Sequence, residues 1–386
     1  MSNKTKYQTF RNVEVLGVHS AGKAIGAYKT RRIYFDYAIP GEVVDVFVAK
    51  RQKGYVKGIM DKIIQPSDKR ISPFCEHFGN CGGCNWQHIL YDEQLILKRT
   101  ILQNALDKYA IITPPIPLPI VSPLQTYYRN KTEYAFVTDK DGNQIFGYHI
   151  AERPDYAMPI DECYLQAEPS RRIYNAAEQT AQDLNYSYYN YYNNTGELRS
   201  ITIRTTTTNE TAIIIGFAHC DKKRKEIFIN ELIKAAPGIN SVYYTILDKP
   251  DIKYVDIPYH HFEGTATHLT EKMNELIFCI SPKAFYQPNP LQAQNLYAQV
   301  LQYGNFRGTE RVVDLYTGIG TIACYIASSV AEVTGIEGSA DAINDANTNA
   351  RINNITNANF ITGDILETFT PAFLEKHGKI DTIILD

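Results

Sequence analysis

Two groups of residues in this 386-residue chain have the types and spacing for chemistry. The first is Cys75-x5-Cys81-x2-Cys84, three thiols on one short segment that also holds Gly79, Gly82 and Gly83. Thiolates are soft ligands, and glycines let a loop wrap tightly around what it binds. A four-coordinate site needs a fourth donor. Cys163 lies 79 residues after Cys84, beyond a predicted hairpin, and can close the set. Zn2+ and a [4Fe–4S] cluster both accept four thiolates. Zinc more often takes two close pairs than a triple with a distant single, so the spacing leans to iron–sulfur and leaves zinc open. His77 and His88 are alternative zinc ligands whose bland roles are loop and packing. Four unliganded thiols are the bland reading of the whole group. Cys279 and Cys324 lie in apolar segments that suit a core. Cys220 sits beside Asp221, Lys222 and Lys223 in a predicted turn.

The second group is Asp314, Tyr316, Thr317, Gly318 and Gly320, followed by Glu337 nineteen residues after Gly318. Glycines after a strand let the chain turn sharply and bring backbone close to a ligand. A carboxylate at the end of the next strand can accept two hydrogen bonds from a ribose diol. Gly318-x-Gly320-x-x-Ala323 also passes a relaxed dinucleotide fingerprint, so the glycines alone do not choose the cofactor. Asp314 beside the loop would repel a pyrophosphate but can hold the amino group of a sulfonium ligand. Asp364 ends a third strand near an expected adenine edge, and Asp386 ends a fourth. S-adenosylmethionine (SAM) is favoured, with a dinucleotide and a nonbinding domain as the alternatives.

The elements that must position these groups follow from periodicity. Residues 12–63 hold short β-branched runs punctuated by Gly and Pro, as in a small OB-like β-barrel. Residues 1–70 carry 14 Lys/Arg against 6 Asp/Glu, whereas the chain as a whole carries 39 against 42. A basic head on an acidic body points to an anionic partner, RNA or DNA in the first instance. AGKAIGAYKTRRI, with Lys23, Arg31 and Arg32, suits a hairpin facing a phosphate backbone. The alternative is a solvated rim.

Residues 91–110 have helical periodicity, and ITPPIPLPIVSP is a connector. YRNKTEYAFVTD and NQIFGYHIAE predict a hairpin turning at Asp141-Gly142, and SITIRTTTTNETAIIIGF predicts another. Arg129 and Lys131 in the first are phosphate-contact candidates. NYSYYNYYNNTG reads as a surface loop or helix end. Residues 308–386 alternate as βαβαβαβ, the beginning of a doubly wound sheet. Such a sheet collects ligands at the carboxyl ends of its strands, which places Asp386 at the site with nothing after it. The expectation is that the α/β domain is incomplete. No apolar run reaches membrane-span length and MSNKTKYQTF is no signal peptide, so a cytoplasmic location is expected.

Several motifs in order resemble a known family, the iron–sulfur-containing RNA uracil-5-methyltransferases with an N-terminal TRAM domain, nearest to the 23S ribosomal RNA type. They are CEHFGNCGGCNWQHI, YRNKTEY, SPKAFYQPNP, DLYTGIGT and GIEGSADAINDANTNARINN. The resemblance implies an α/β chain of five parts. These are a TRAM-like RNA-binding barrel over 1–65, a cysteine-cluster loop over 66–90 closed by Cys163, and a helix and connector over 91–125. An α+β RNA-binding domain follows over 126–275, and an incomplete Rossmann-type SAM-dependent methyltransferase domain over 276–386.

It implies that Cys75, Cys81, Cys84 and Cys163 hold a [4Fe–4S] cluster, and that Gln287, Tyr316, Glu337 and Asp386 contact SAM. Thr317 stands where the family usually has cysteine. It favours 23S rRNA over tRNA as the RNA partner; a monomer is expected, with the oligomeric state open. The chemistry is addition of a cysteine thiolate at uracil C6, attack of C5 on the methyl group and removal of the C5 proton by a glutamate. Both of those residues are expected beyond Asp386, so the 386 residues alone are expected to be inactive. The competing readings are a noncatalytic RNA-binding protein with a structural metal site and an iron–sulfur oxidoreductase using a dinucleotide.

Overall fold

A computed structural model describes residues 8–52, 55–150, 153–250 and 257–386. Ala151 and Glu152, expected at the end of the first hairpin, lie outside the described residues. The chain folds as two compact units, 1–121 with 150–152, and 122–149 with 153–386.

In the first unit, five strands close into a barrel in the order β1-β2-β3-β5-β4. They are β1 (Thr9–Val18), β2 (Ala24–Tyr28), β3 (Arg31–Phe35), β4 (Val43–Gln52) and β5 (Tyr55–Gln65). Side chains alternate in and out, so Val13, Val15, Ile33, Phe35, Val44, Val46 and Val56 fill the interior. Gly58 is forced by that packing, because a Cβ there would lie 2.3 Å from Val46 Cγ1. Glu42 is fully buried and takes two hydrogen bonds from Arg70, Nε to Oε1 at 2.6 Å and Nη2 to Oε2 at 2.8 Å. Burial alone would raise the Glu42 pKa, but Arg70 and the N–H groups of Ile39 and Ser67 outweigh it and hold the carboxyl below its usual range. The pair fastens the barrel to the segment leading into the cysteine loop. Trp86 Nε1 adds a bond to the Gly22 carbonyl at 2.9 Å. Helix α1 (Tyr91–Lys108) packs Leu97 against Val18, Ile39 and Ile89.

The second unit begins with a seven-stranded sheet, β12-β11-β10-β9-β6-β7-β8. Its strands are β6 (Lys131–Thr138), β7 (Gln144–Ile150), β8 (Arg153–Met158), β9 (Leu198–Thr205), β10 (Thr211–Phe217), β11 (Ser241–Ile246) and β12 (His260–His261). Both predicted hairpins are present, with Thr138 opposite Gln144 and Thr205 opposite Thr211. Helices α2 (Ser170–Asp183) and α3 (Lys222–Ala235) share its core, in which Phe136, Phe146, Ile173, Ile213 and Phe228 are buried. The tyrosine-rich stretch, expected as a surface loop or helix end, begins just past the end of α2 but packs inward. Tyr186, Tyr188 and Tyr189 are buried, because Tyr186 donates to the Arg224 carbonyl and Tyr189 donates to Asn194 Oδ1 at 2.6 Å. With its hydroxyl satisfied, a tyrosine ring packs as a large apolar group.

The hairpin β13 (Leu269–Met273) and β14 (Leu276–Ile280) precedes helix α4 (Pro290–Gly304). A parallel sheet of order β17-β16-β15-β18 follows. Its strands are β15 (Arg311–Leu315), β16 (Glu332–Glu337), β17 (Ala358–Thr362) and β18 (Thr382–Leu385). The helices between them are α5 (Thr321–Ile326), α6 (Ala340–Ile352), α7 (Ile365–Thr368) and α8 (Pro371–His377). The predicted alternation is the one found, with a shorter first helix that gives way to a 3-10 turn at Ala327–Ser329. Among the described residues, no helix is long and apolar enough to cross a membrane.

Candidate nucleotide site

The carboxyl ends of β15, β16 and β18 bring Tyr316, Glu337 and Asp386 to one edge of the parallel sheet. The glycine loop leaves β15 through left-handed conformations at Tyr316 (φ 61°), Gly318 (φ 55°) and Gly320 (φ 74°). A Cβ on Gly320 would sit 2.8 Å from the Phe360 ring, whereas one on Gly318 would meet nothing within 4 Å. Gly320 is therefore a packing glycine, and Gly318 faces open space where a ligand can approach. Glu337 pins this loop, accepting from Gly318 N at 3.3 Å and from Ser339 N at 2.9 Å. Tyr316 stays 59% exposed, an aromatic ring held in solvent by a strained backbone.

Asp314 points the other way. Its carboxylate is buried and accepts from Thr317 Oγ1 at 2.6 Å. Burial pushes its pKa up to about 6, with help from Asp386, against the Thr317 hydroxyl and the Ala323 N–H. The structure thus makes it a brace beneath the loop. Asp364 is exposed and caps α7, accepting from Leu366 N at 2.8 Å.

Gln287 belongs to the turn between β14 and α4. Its Nε2 donates to Asp386 Oδ2 at 3.2 Å. The turn is anchored from outside the parallel sheet. Asn130 Nδ2 donates to the Gln287 carbonyl at 3.0 Å, and Asn130 N donates to the Pro288 carbonyl at 2.9 Å. Arg204 Nη2 donates to the Ala284 carbonyl at 2.7 Å. Asn289 starts α4 by accepting from Gln292 N at 3.0 Å, ahead of Pro290 at the first helical position.

Asn130 and Arg204 were not predicted from the sequence. A signal existed for Arg204, a charged residue within the β-branched run ITIRTTTT that alternation places indoors. Asn130 sits between Arg129 and Lys131, where the charges draw attention from it.

Arg129 and Lys131 flank Asn130 and are both exposed. Arg129 Nε donates to the Lys131 carbonyl at 2.9 Å, which orients the guanidinium. Lys131 pairs with Arg204 across β6 and β9. The protein around its ammonium, with Arg204 and to a lesser degree Arg129, lowers the pKa of the lysine against the opposing Glu133 carboxylate. These positive groups repel one another and suit an anion.

In the barrel, Arg31 and Arg32 are exposed at the start of β3. Lys23 is engaged instead, its Nζ 3.0 Å and 2.7 Å from the two carboxylate oxygens of Asp36. That ion pair neutralises the charge expected to meet phosphate.

The four candidate cysteine ligands are partly buried. Cys81 Sγ accepts from Gly83 N at 3.4 Å, and the Tyr148 hydroxyl lies 3.6 Å from Cys163 Sγ. Among the described residues, no three His, Cys, Asp or Glu side chains come together in a metal-holding group.

The strand-end site offers carboxylates and a turned loop. Such acceptors suit a ligand rich in hydroxyls and positive charge, and they oppose a pyrophosphate. That composition fits SAM.

Known proteins agree. Residues 307–386 match a methyltransferase domain family. An RNA methyltransferase of Bacteroides thetaiotaomicron is 35% identical over 382 residues, covering 95% of this chain and 84% of the relative. One from Porphyromonas gingivalis is 34% identical, covering 97% and 84%. The structure of the Pyrococcus abyssi tRNA (uracil-54, C5)-methyltransferase with S-adenosyl-L-homocysteine shares the fold, with a TM-score of 0.72 at 24% identity, over 97% of this chain and 83% of that one. By its near full-length similarity to the two bacterial relatives, the chain belongs to a family of SAM-dependent RNA methyltransferases.

Proposed function

We propose that this protein methylates C5 of a uridine in RNA, with 23S rRNA as the substrate. The observation that carries the reading is the Gln287 turn. Its side chain donates to Asp386 at the end of β18, while its backbone is held by Asn130, which sits between the phosphate-contact candidates Arg129 and Lys131. One segment therefore links a SAM-type pocket to an anion-facing strand. The Pyrococcus abyssi fold neighbour, a tRNA (uracil-54, C5)-methyltransferase, supports the same base and makes tRNA the alternative substrate.

When bound, SAM supplies an electrophilic methyl group. In this reading Glu337 accepts the ribose hydroxyls, Asp386 and Gln287 hold polar groups of the donor, and Tyr316 offers its ring to the adenine. Asp314 braces the loop through Thr317. Arg129 and Lys131 meet RNA phosphates and steady an unstacked uridine. Activating C5 calls for a thiolate at C6. Burial pushes the thiols of Cys220 and Cys324 up to about 12 and raises that of Cys279, so none of these is poised as a thiolate. No residue of 1–386 is assigned that role or the role of the base.

The cysteine set Cys75, Cys81, Cys84 and Cys163 is read as a [4Fe–4S] site on donor chemistry and spacing, outside the catalytic steps. Iron with acid-labile sulfide in anaerobically purified protein supports this; zinc without sulfide replaces it. The functional reading is tested by mass analysis of nucleosides from 23S rRNA and tRNA of cells with and without the gene. Loss of 5-methyluridine from 23S rRNA is expected. Unchanged 5-methyluridine in both RNAs, with another methylated nucleoside lost, overturns the reading.

A further inference from the structure

We infer that the outer face of the barrel carries a stacking platform for unpaired RNA bases, built on His19, Tyr34 and Tyr55. The inference rests on the reading above that the substrate is RNA. Tyr34 and Tyr55 lie on β3 and β5, which run parallel as neighbours. Ile33 and Val56, next to them in sequence, are buried in the barrel, so the tyrosines take the outward positions.

The three rings form a chain. His19 and Tyr34 meet edge to face with centroids 5.2 Å apart, and Tyr34 and Tyr55 do the same at 5.2 Å. Tyr55 is 37% exposed and His19 is exposed too. Outward positions of a small barrel have no core to fill, so a run of linked aromatic rings there is surface that a partner can cover.

The charge around the rings identifies the partner. Arg32 is the register partner of Tyr55, and Lys57 that of Tyr34. Lys50 pairs with Lys57 on the other side. Rings interleaved with cations match a single strand, whose phosphates meet the cations while its bases stack on the rings. Paired bases are already stacked within a helix, so the platform discriminates against duplex. Tyrosine adds little entropy cost, since its ring has only two rotatable bonds to fix.

The test is fluorescence anisotropy of the whole chain, without SAM, against a labelled oligouridine of about twelve nucleotides, near the site size of such folds, and a duplex of equal length. Tyr34→Ala and Tyr55→Ala are each expected to weaken oligouridine binding by about 5- to 100-fold, the usual worth of one stacked base. Tyr34→Phe and Tyr55→Phe should bind like the parent, and duplex binding should not change. Lys50→Gln should flatten the salt dependence. Thermal unfolding checks that the barrel persists, and Tyr55→Leu, which keeps an apolar surface without a ring, should behave as Tyr55→Ala does. Undiminished oligouridine binding by both alanine variants overturns the platform and leaves the patch to a protein partner. Weakened binding by both phenylalanine variants overturns it in favour of hydroxyl hydrogen bonds. A parent chain that binds neither RNA instead overturns the RNA reading itself.

Discussion

Gln287 and Asp386, 99 positions apart in the chain, meet through a 3.2 Å hydrogen bond at the carboxyl end of β18. The amide engages one carboxylate oxygen of Asp386; in the proposed reading the other meets the donor. Gln287→Leu removes the donor and keeps the volume. SAM affinity, measured by calorimetry, is expected to fall about tenfold or more, the worth of a hydrogen bond to a charged group. Unchanged affinity would place Asp386 outside the donor site.

Glu337 holds the Gly318 N–H, and in the proposed reading it also accepts from the ribose. Glu337→Gln keeps the shape but can no longer offer two charged acceptors. It should weaken SAM by about 10- to 100-fold and leave the melting temperature nearly unchanged. If stability falls and SAM affinity does not, the carboxylate serves only the loop.

Asp314 makes stability depend on pH in a defined direction. Its folded pKa of about 6 exceeds its ordinary value near 4, so between those limits the folded state holds more protons than the unfolded one. Its contribution therefore turns unfavourable as pH rises from about 4 to about 6, by about 3 kcal/mol for two units. Asp314→Asn should remove this part of the slope in urea titrations at stepped pH. Thr317→Val, which deletes a bond to the ionised form, should move the transition to higher pH. A parent profile identical to that of Asp314→Asn would contradict this assignment.

The Glu42–Arg70 pair predicts a different kind of loss. Arg70→Met leaves a carboxylate buried without its partner and should cost about 3 to 5 kcal/mol. Hydrogen exchange would show the loss as reduced protection across β1 to β5. Adding Glu42→Gln should recover part of it, because the stranded charge is gone. Losses that simply add would mean that the two side chains act separately.

Much of this architecture is legible in the residues. The barrel strands and the alternating strands and helices of 308–386 announce themselves because period 2 and period 3.6 follow from which face is buried. The strand-end residues Tyr316, Glu337 and Asp386 are legible for the same reason, since a parallel sheet presents its carboxyl ends together. What sequence could not show was direction and partnership. Asp314 and Glu337 both lie near the carboxyl ends of neighbouring strands, yet one turns inward to Thr317 and the other holds the glycine loop. Lys23 reads like Arg31, but a hairpin places Asp36 beside it. Asn130 holds the Gln287 turn across more than 150 positions, and no local pattern carries information over that separation.

The Asn130 clamp joins strand β6 and the 287–288 turn into a single mechanical piece. A shift of the strand must appear in the direction from which Gln287 reaches Asp386. If RNA moves that strand on docking, the donor pocket will register it. The change that RNA makes in SAM affinity is then the change that SAM makes in RNA affinity, factor for factor. The two ligands would thus negotiate through one asparagine before the methyl group passes between them.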